Sequence, residues 1–385
     1  MNEKESALHS EATEKQGSNT RYSFNLHVSS SNVKSKLQQD QEYFINTFTR
    51  FKLQNFIQNK LVERSVIPYN GNFSKCHRAS IGSIISLVRN AETSRAYYNN
   101  VVTCANAMCC PVCSARIMGK RSAEIKKAVH QWLNENVLNT CYMITLTFAH
   151  RLEDRLVDLL IAFKRALEAF WCNGSLKRLL SACGRVGRIT ATEIQYSQTN
   201  GYHPHQHILL FCRKTDFDLE ALRGYWLRAL ETVGLSGLSD IALDLIEARS
   251  AENYLTKISS EMALGNLKQG RGSGHYSPMQ LLAEAADGSD WATDRYIEFF
   301  RAVKGMHSLC WSRGLKAYFG IDDVSDQEIT DGASQPELTK FLDMISDAFK
   351  FLSASEKALL RNYAAFDDFE HAAALLDRVG AEYWK

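Results

Sequence analysis

Apolar residues recur along this chain with two alternating rhythms, one helical and one of strands. From about residue 41 to 70, Phe44, Phe48, Phe51 and Leu53 follow at near-helical spacing until Pro68 closes the run, which predicts a helix. A second helix is expected from about 114 to 136. Between 141 and 265 the pattern changes. The stretch "CYMITLTF" (141–148) is apolar, β-branched and aromatic, as a buried strand would be. Residues 151–172 return to a helical period, with Leu156, Leu159, Leu160, Phe163 and Leu167 on one side. Two further strands, "RITATEIQYS" (188–197) and 204–212, flank "QTNGYH", whose Asn200-Gly201 pair signals a hairpin. A helix over 216–233, a strand over 241–248 and a helix over 249–264 follow. This order predicts an α+β fold, a central antiparallel sheet flanked by helices, rather than a parallel doubly wound sheet.

Outside that section the composition divides the chain. Residues 1–40 are rich in Ser, Glu, Lys, Asn and Gln without apolar period and read as a disordered tail. Residues 41–136 form a helical and cysteine-rich region, 137–320 the sheet-bearing domain, and 321–385 an acidic module. The last, with "ELTKFLDMISDAFKFL" and "FEHAAALLDRVGAEYW", reads as helical. Net charge is only +2, yet residues 60–127 hold 11 Lys and Arg against 3 Asp and Glu, while residues 321–385 hold 6 against 14. The asymmetry suggests one face for an anionic partner, although two solvated surfaces that merely differ would look the same. The acidic end would be repelled by DNA, which suits protein contact or self-association, or packing as a lid on the core. No apolar run approaches the ~18 residues of a membrane span, and the N-terminus lacks the apolar core of a signal peptide. A cytoplasmic protein without membrane contact is the expectation.

Three of the 11 histidines fall on alternate positions in "GYHPHQHILLF" (201–211). On a strand His205 and His207 point the same way, about 7 Å apart along the backbone, and can share one divalent ion. The hairpin folds "TATEIQY" back beside them, so Glu193 is the candidate third ligand. Two imidazoles and a carboxylate leave positions open for water or a phosphate oxygen, as a catalytic ion needs. His203 has the same parity but precedes Pro204 near the turn, and reads as a residue that backs the site or faces DNA. The alternative is histidines that simply bond neighbouring carbonyls at a strand end.

Cys141, Cys172, Cys183, Cys212 and Cys310 are scattered among apolar residues and read as reduced core residues. "CANAMCCPVC" (104–113) differs. Cys110 and Cys113 have the spacing that clasps one zinc ion, and Cys104 with Cys76 could complete a four-thiolate structural site, with His77 and Cys109 as alternates. A redox pair is the competing reading. Arg116, Lys120 and Arg121, with Arg78, Lys126 and Lys127, would then contact DNA phosphates.

In "SAENYLTKISSEM" (250–262), Tyr254, Lys257 and Glu261 are spaced to share one helix face. An exposed tyrosine beside a lysine can attack phosphorus, the ammonium stabilising the phenolate; a core-edge tyrosine beside a surface ion pair is the ordinary alternative. Taken in order, "MITLTF" (143–148), "HPHQHILLF" (203–211) and "NYLTKISSEM" (253–262) resemble the three motifs of the HUH endonucleases, specifically the rolling-circle replication initiators of plasmids. The resemblance runs from about residue 70 to 321, through "KQGRGSGHYSPMQLL" and "WSRGLKAYFGI". It implies that His205 and His207 hold Mg²⁺ or Mn²⁺ and that Tyr254, assisted by Lys257, attacks the scissile phosphodiester. A 5′-phosphotyrosine link and a 3′-hydroxyl primer would result. Gln206 stands where relatives have an apolar residue. Ser250 stands where some place a water-activating glutamate; Glu247, Glu252 and Glu261 are substitutes, helical spacing favours Glu261, and termination by the Tyr254 of a second protomer stays open beside hydrolysis. A host helicase is an expected partner, since the sequence holds no GxxxxGK[ST] loop. An HUH transposase or relaxase would use the same chemistry, whereas a non-enzymatic zinc-ribbon DNA-binding regulator would need neither histidines nor divalent ion.

Overall fold

A computed structural model describes residues 36–91, 93–213, 218–248, 274–332 and 338–385. In chain order the elements used below are α1 (Lys36–Glu63), β1 (Ile84–Asn90), β2 (Arg95–Asn99), α2 (Pro111–Glu135), β3 (Thr140–Leu146), α3 (Leu156–Cys172), β4 (Arg185–Ser197) and β5 (Gly201–Cys212). They continue with α4 (Leu219–Glu231), β6 (Leu243–Ala248), β7 (His275–Tyr276), α5 (Pro278–Ala286), α6 (Asp290–Ala302) and β8 (Leu309–Trp311). The last are α7 (Asp326–Asp331), β9 (Thr339–Ile345), α8 (Ser346–Phe351), α9 (Ala354–Ala365) and β10 (Tyr383–Trp384).

The larger sheet has the order β6-β3-β5-β4-β7, with β8 also paired to β4, and every pairing is antiparallel. The antiparallel expectation is met, and the hairpin falls where Asn200-Gly201 puts it. Gly201 has φ +77° and no room for a side chain, since a Cβ there would lie 3.0 Å from the Arg151 carbonyl oxygen. That turn sets the register in which Glu193 faces His205 and Ala191 faces His207.

Alternation gives the sheet two different faces. Odd-numbered residues of β5 carry the histidines and then Phe211, which meets Trp132 of α2 edge-on at 6.0 Å, so α2 covers that end of the face. The opposite face carries Tyr196 and Tyr202. Tyr196 packs on Trp291 of α6, and the Tyr202 hydroxyl donates to the Arg295 carbonyl. Beside it Trp226 of α4 meets Phe163 and Phe170 of α3 edge-on and donates its indole N–H to the Thr147 carbonyl at 2.9 Å.

A second sheet has the order β10-β9-β1-β2. Here one expectation is corrected: "ELTKFLDMISDAFKFL" is not helical throughout, because its residues Thr339–Ile345 form β9 and helix begins only at Ser346. Apolar residues at 341, 342, 344 and 345 suit either element. The free edge of β1 decides it, pairing Leu87 with Leu342 and Ile85 with Met344. The C-terminal residues are also not set apart. The Tyr98 hydroxyl of β2 donates to the Lys357 carbonyl at 2.8 Å and the Asn362 amide of α9 to the Phe44 carbonyl of α1 at 3.3 Å. Both ends of the described chain, α1 and α9, thus pack together beside β2.

α1 starts at Lys36, inside the stretch expected to be a tail; residues 1–35 lie outside the described residues, as does the helix expected over 249–264. No helix among the described residues is long and apolar enough to cross a membrane.

Candidate metal centres

Glu193, His205 and His207 converge. The Glu193 Oε2 atom lies 3.1 Å from His205 Nε2 and 2.8 Å from His207 Nε2, and all three residues are buried. Burial alone would raise the Glu193 carboxyl, but hydrogen bonds from His205 and His207 outweigh it and hold the group well below its usual range. Its other oxygen accepts from the Gln195 amide at 2.7 Å. His207 Nδ1 sits 3.1 Å from the Thr145 hydroxyl, whereas His205 Nδ1 is buried without a partner among the described residues. Two Nε2 atoms and a carboxylate oxygen converge, with Nδ1 of one ring tied to a hydroxyl, an arrangement that could hold a cation as two histidines and one carboxylate do elsewhere.

His203 lies beside it. Its Nε2 is 3.1 Å from the Thr147 hydroxyl and its Nδ1 is 2.6 Å from His150 Nε2, while His150 Nδ1 is 2.8 Å from the Asn200 carbonyl. A carbonyl only accepts, so the proton of His150 is on Nδ1, His203 donates from Nδ1, and Thr147 donates to His203 Nε2. Burial, with His205 and His150 adding to it, pushes His203 down to about 3. Both ring nitrogens are therefore engaged within the protein.

Sequence reading missed Thr145, Thr147, His150 and Gln195. The signal was there for the threonines: at i and i+2 of a strand otherwise apolar, they share the histidine face once β3 is paired with β5. It also missed Asp244, exposed and paired with Thr145, which is itself opposite His207. Glu247 is corrected as a substitute for the missing glutamate, because its odd parity on β6 turns it to the other face, where Thr140 bonds it at 3.4 Å. Tyr254, Lys257, Glu252 and Glu261 lie outside the described residues.

The second centre is held by α2 and the loops before it. Cys76, Cys104, Cys110 and Cys113 place their sulfurs within 4.8 Å of one another, Cys76 to Cys113 at 3.4 Å, Cys104 to Cys113 at 3.8 Å and Cys76 to Cys110 at 3.9 Å. Four thiolates bound tetrahedrally at ~2.3 Å to one zinc lie roughly 3.8 Å apart, so the spacing fits that ion. Pro111 at the first turn of α2 starts the helix, and Cys110 as its cap accepts from the Cys113 N–H at 3.5 Å, which draws the two sulfurs to one end. Burial pushes the thiols of Cys76 and Cys104 well up. In Cys110 burial is outweighed by hydrogen bonds from the other three sulfurs, which hold it well below its usual range. The Gln54 amide donates to Cys110 at 3.0 Å and to Cys76 at 3.3 Å. His77 stays beside the cluster, its Nδ1 3.2 Å from Cys76 Sγ, and Cys109 is buried outside the four.

Two of the expected phosphate contacts are corrected. Arg116 is buried, donates to the Thr330 carbonyl at 2.8 Å and stacks 4.2 Å from the Tyr97 ring. Arg121 is buried between Glu124 at 3.0 Å and Asp326 at 2.8 Å. The physical reason is the helix face: both project from α2 toward α7, whose residues Thr330 and Asp326 they meet, not toward solvent. Lys120 is half-buried and pairs with no carboxylate among the described residues.

Residues 96–224 match the family model described as a replication protein. The chain thus carries a segment similar to that family, in agreement with the resemblance to replication initiators drawn from its motifs. The match holds Cys104, Cys110, Cys113, Glu193, His205 and His207, but neither Cys76 nor Tyr254. Among curated proteins, "Protein rep" of Streptomyces lividans is 27% identical over 297 residues, covering 58% of this chain and 64% of that protein. The "Neomycin resistance protein" of Streptomyces cyanogenus is 28% identical over 134 residues, covering 29% of this chain and 30% of that protein. The chain therefore spans less than two thirds of either relative. No solved structure matches it.

Proposed function

We propose that this protein initiates rolling-circle replication of a plasmid or related element as an HUH-type, metal-dependent DNA strand transferase. The observation that carries the proposal is the convergence of Glu193, His205 and His207 on one point of the strand pair, and the replication-protein match supports it. Those three residues would hold Mg²⁺ or Mn²⁺, which when bound polarises the scissile phosphate. Thr145 orients His207 and Gln195 orients Glu193, so that the donor set is built before DNA arrives. Tyr254 is the nucleophile: its phenolate oxygen bonds to phosphorus, the 3′ oxygen leaves, and the enzyme stays joined to the 5′ phosphate while the freed 3′-hydroxyl primes synthesis. Lys257 stabilises the phenolate and Glu261 activates the water that ends the reaction.

Zn²⁺ in the four-cysteine cluster ties α2 to the loops that carry Cys76 and Cys104, a structural task. Lys120 contacts phosphate, the nicked strand is opened by a host helicase, and the protein works in the cytoplasm.

The test is a protein–DNA adduct. Purified protein with Mn²⁺ and labelled single-stranded origin DNA is expected to give a band that survives denaturing electrophoresis, and Tyr254→Phe to give none. An adduct of equal yield from Tyr254→Phe removes Tyr254 as the nucleophile, whereas tight duplex binding without any adduct sinks the enzymatic reading and favours the zinc-ribbon regulator.

A further inference from the structure

Away from the histidine strand, four guanidinium groups gather where α1, β2, α2 and α9 meet. Tyr97 of β2 is stacked between two of them, with Arg116 4.2 Å and Arg361 5.4 Å from its ring centre. Arg361 is fixed further by its Nε–H bond to the Ala96 carbonyl at 2.9 Å and by the Phe51 ring at 5.5 Å. Arg95, exposed, stands 5.7 Å from the Tyr43 ring. Arg50, half-buried, is pressed down to about 10, by burial first and then by Arg95 and Arg361. Among the described residues no carboxylate forms an ion pair with Arg50, Arg95, Arg116 or Arg361; Asp331 acts on Arg116 only at longer range.

Arg116 adds a second observation. It is 9% exposed and spends one donor group on the Thr330 carbonyl, while its Nε and other terminal nitrogen have no partner among the described residues. With Tyr97, Arg361, His77 and Thr330 it lines a cavity of about 10 Å³, room for one water-sized guest. A buried guanidinium with unmet donors is costly, and like charges held together without acids repel. A water-sized guest can meet the donors of Arg116, while an anion at the surface relieves the repulsion, and aromatic stacking holds the planar groups ready for it.

We propose that this arginine and tyrosine cluster is a phosphate-binding surface for a nucleic-acid backbone, a second DNA contact separate from the cleavage site. Arg50, Arg95 and Arg361 form its rim, and Arg116, buried beneath them, adds its charge to the field at that surface without touching the strand. The proposal rests on DNA being the partner of this protein.

The experiment is fluorescence anisotropy of a labelled duplex with the full chain over a range of KCl concentrations, comparing wild type, Arg95→Gln and Arg50→Gln/Arg95→Gln. Arg95 is exposed, so its single variant keeps the fold; melting temperature checks this for the pair. The slope of log affinity against log salt is expected to shrink by about 0.9 for each arginine removed, with affinity falling roughly fivefold per arginine near 0.15 M salt. Arg95→Lys should keep the wild-type slope. Wild-type slopes in both glutamine variants overturn the proposal and leave DNA as the partner. If the wild-type protein binds no duplex at any salt concentration, the DNA reading falls and this surface with it.

Discussion

Glu193 and His207 meet at 2.8 Å across one hairpin, although 14 residues separate them in the chain. Neither residue is a metal ligand by itself. Paired across β4 and β5, with His205 at 3.1 Å, they bring together three atoms that could ligate one ion. Glu193→Gln is expected to abolish saturable Mn²⁺ binding at this site, read by isothermal titration or by the electron paramagnetic resonance of free Mn²⁺. Unchanged affinity would show that the carboxylate is no ligand.

Thr145 lies 3.1 Å from His207 Nδ1 through its hydroxyl and is not one of the three converging residues. Thr145→Val removes only that orienting bond, so Mn²⁺ affinity should weaken by roughly ten- to a hundredfold with little change in melting temperature. Equal metal affinity in both proteins would mean that the threonine merely packs.

The cysteine cluster makes a different demand. Purified protein should carry one zinc per chain, and Cys113→Ser or a strong chelator should release it with a large loss of stability, since structural zinc contributes roughly 10 kcal/mol in small domains. Elemental analysis and a thermal melt read both quantities. A zinc-free protein with an unchanged melt counts against a structural role.

Arg121 separates structural from DNA-binding arginines. It is buried between Glu124 and Asp326, so Arg121→Gln is expected to cost about 3 kcal/mol in a denaturant titration by stranding both carboxylates. Its salt slope of DNA binding should match wild type. Lys120→Gln should do the reverse, lowering the slope and sparing stability.

Lys357 gives a pH test. It is buried, and burial first, then Arg78, press its pKa from 10.5 to about 8. Because the folded value lies below the unfolded one, the unfolded chain binds more protons between pH 8 and 10.5, and this residue's contribution to stability rises with pH across that window. Below pH 8 the charged form is a constant penalty. Lys357→Met should therefore raise stability at pH 7 by about 3 kcal/mol, a gain that shrinks as pH approaches 10.5. Parallel stability curves for the two proteins would refute the assignment.

Local signals settled a good part of this protein from its sequence. Alternation fixes which of His203, His205 and His207 share a face, Asn200-Gly201 places the turn, and Cys110 and Cys113 lie one helical turn apart at a proline-started helix. Each depends on a few neighbouring residues and on backbone geometry that any chain obeys. The tertiary structure alone decided what long-range pairing decides. "FLDMI" serves a strand or a helix, and the free edge of β1 makes it β9. Arg116 and Arg121 look like phosphate contacts in a basic stretch, and only the packing of α7 on α2 buries them. Glu247 and Asp244 are both acidic and three residues apart; pairing with β3 turns one away from the histidines and the other toward them. Burial and partner choice are properties of contacts between segments far apart in the chain, and a sequence read locally carries no term for them.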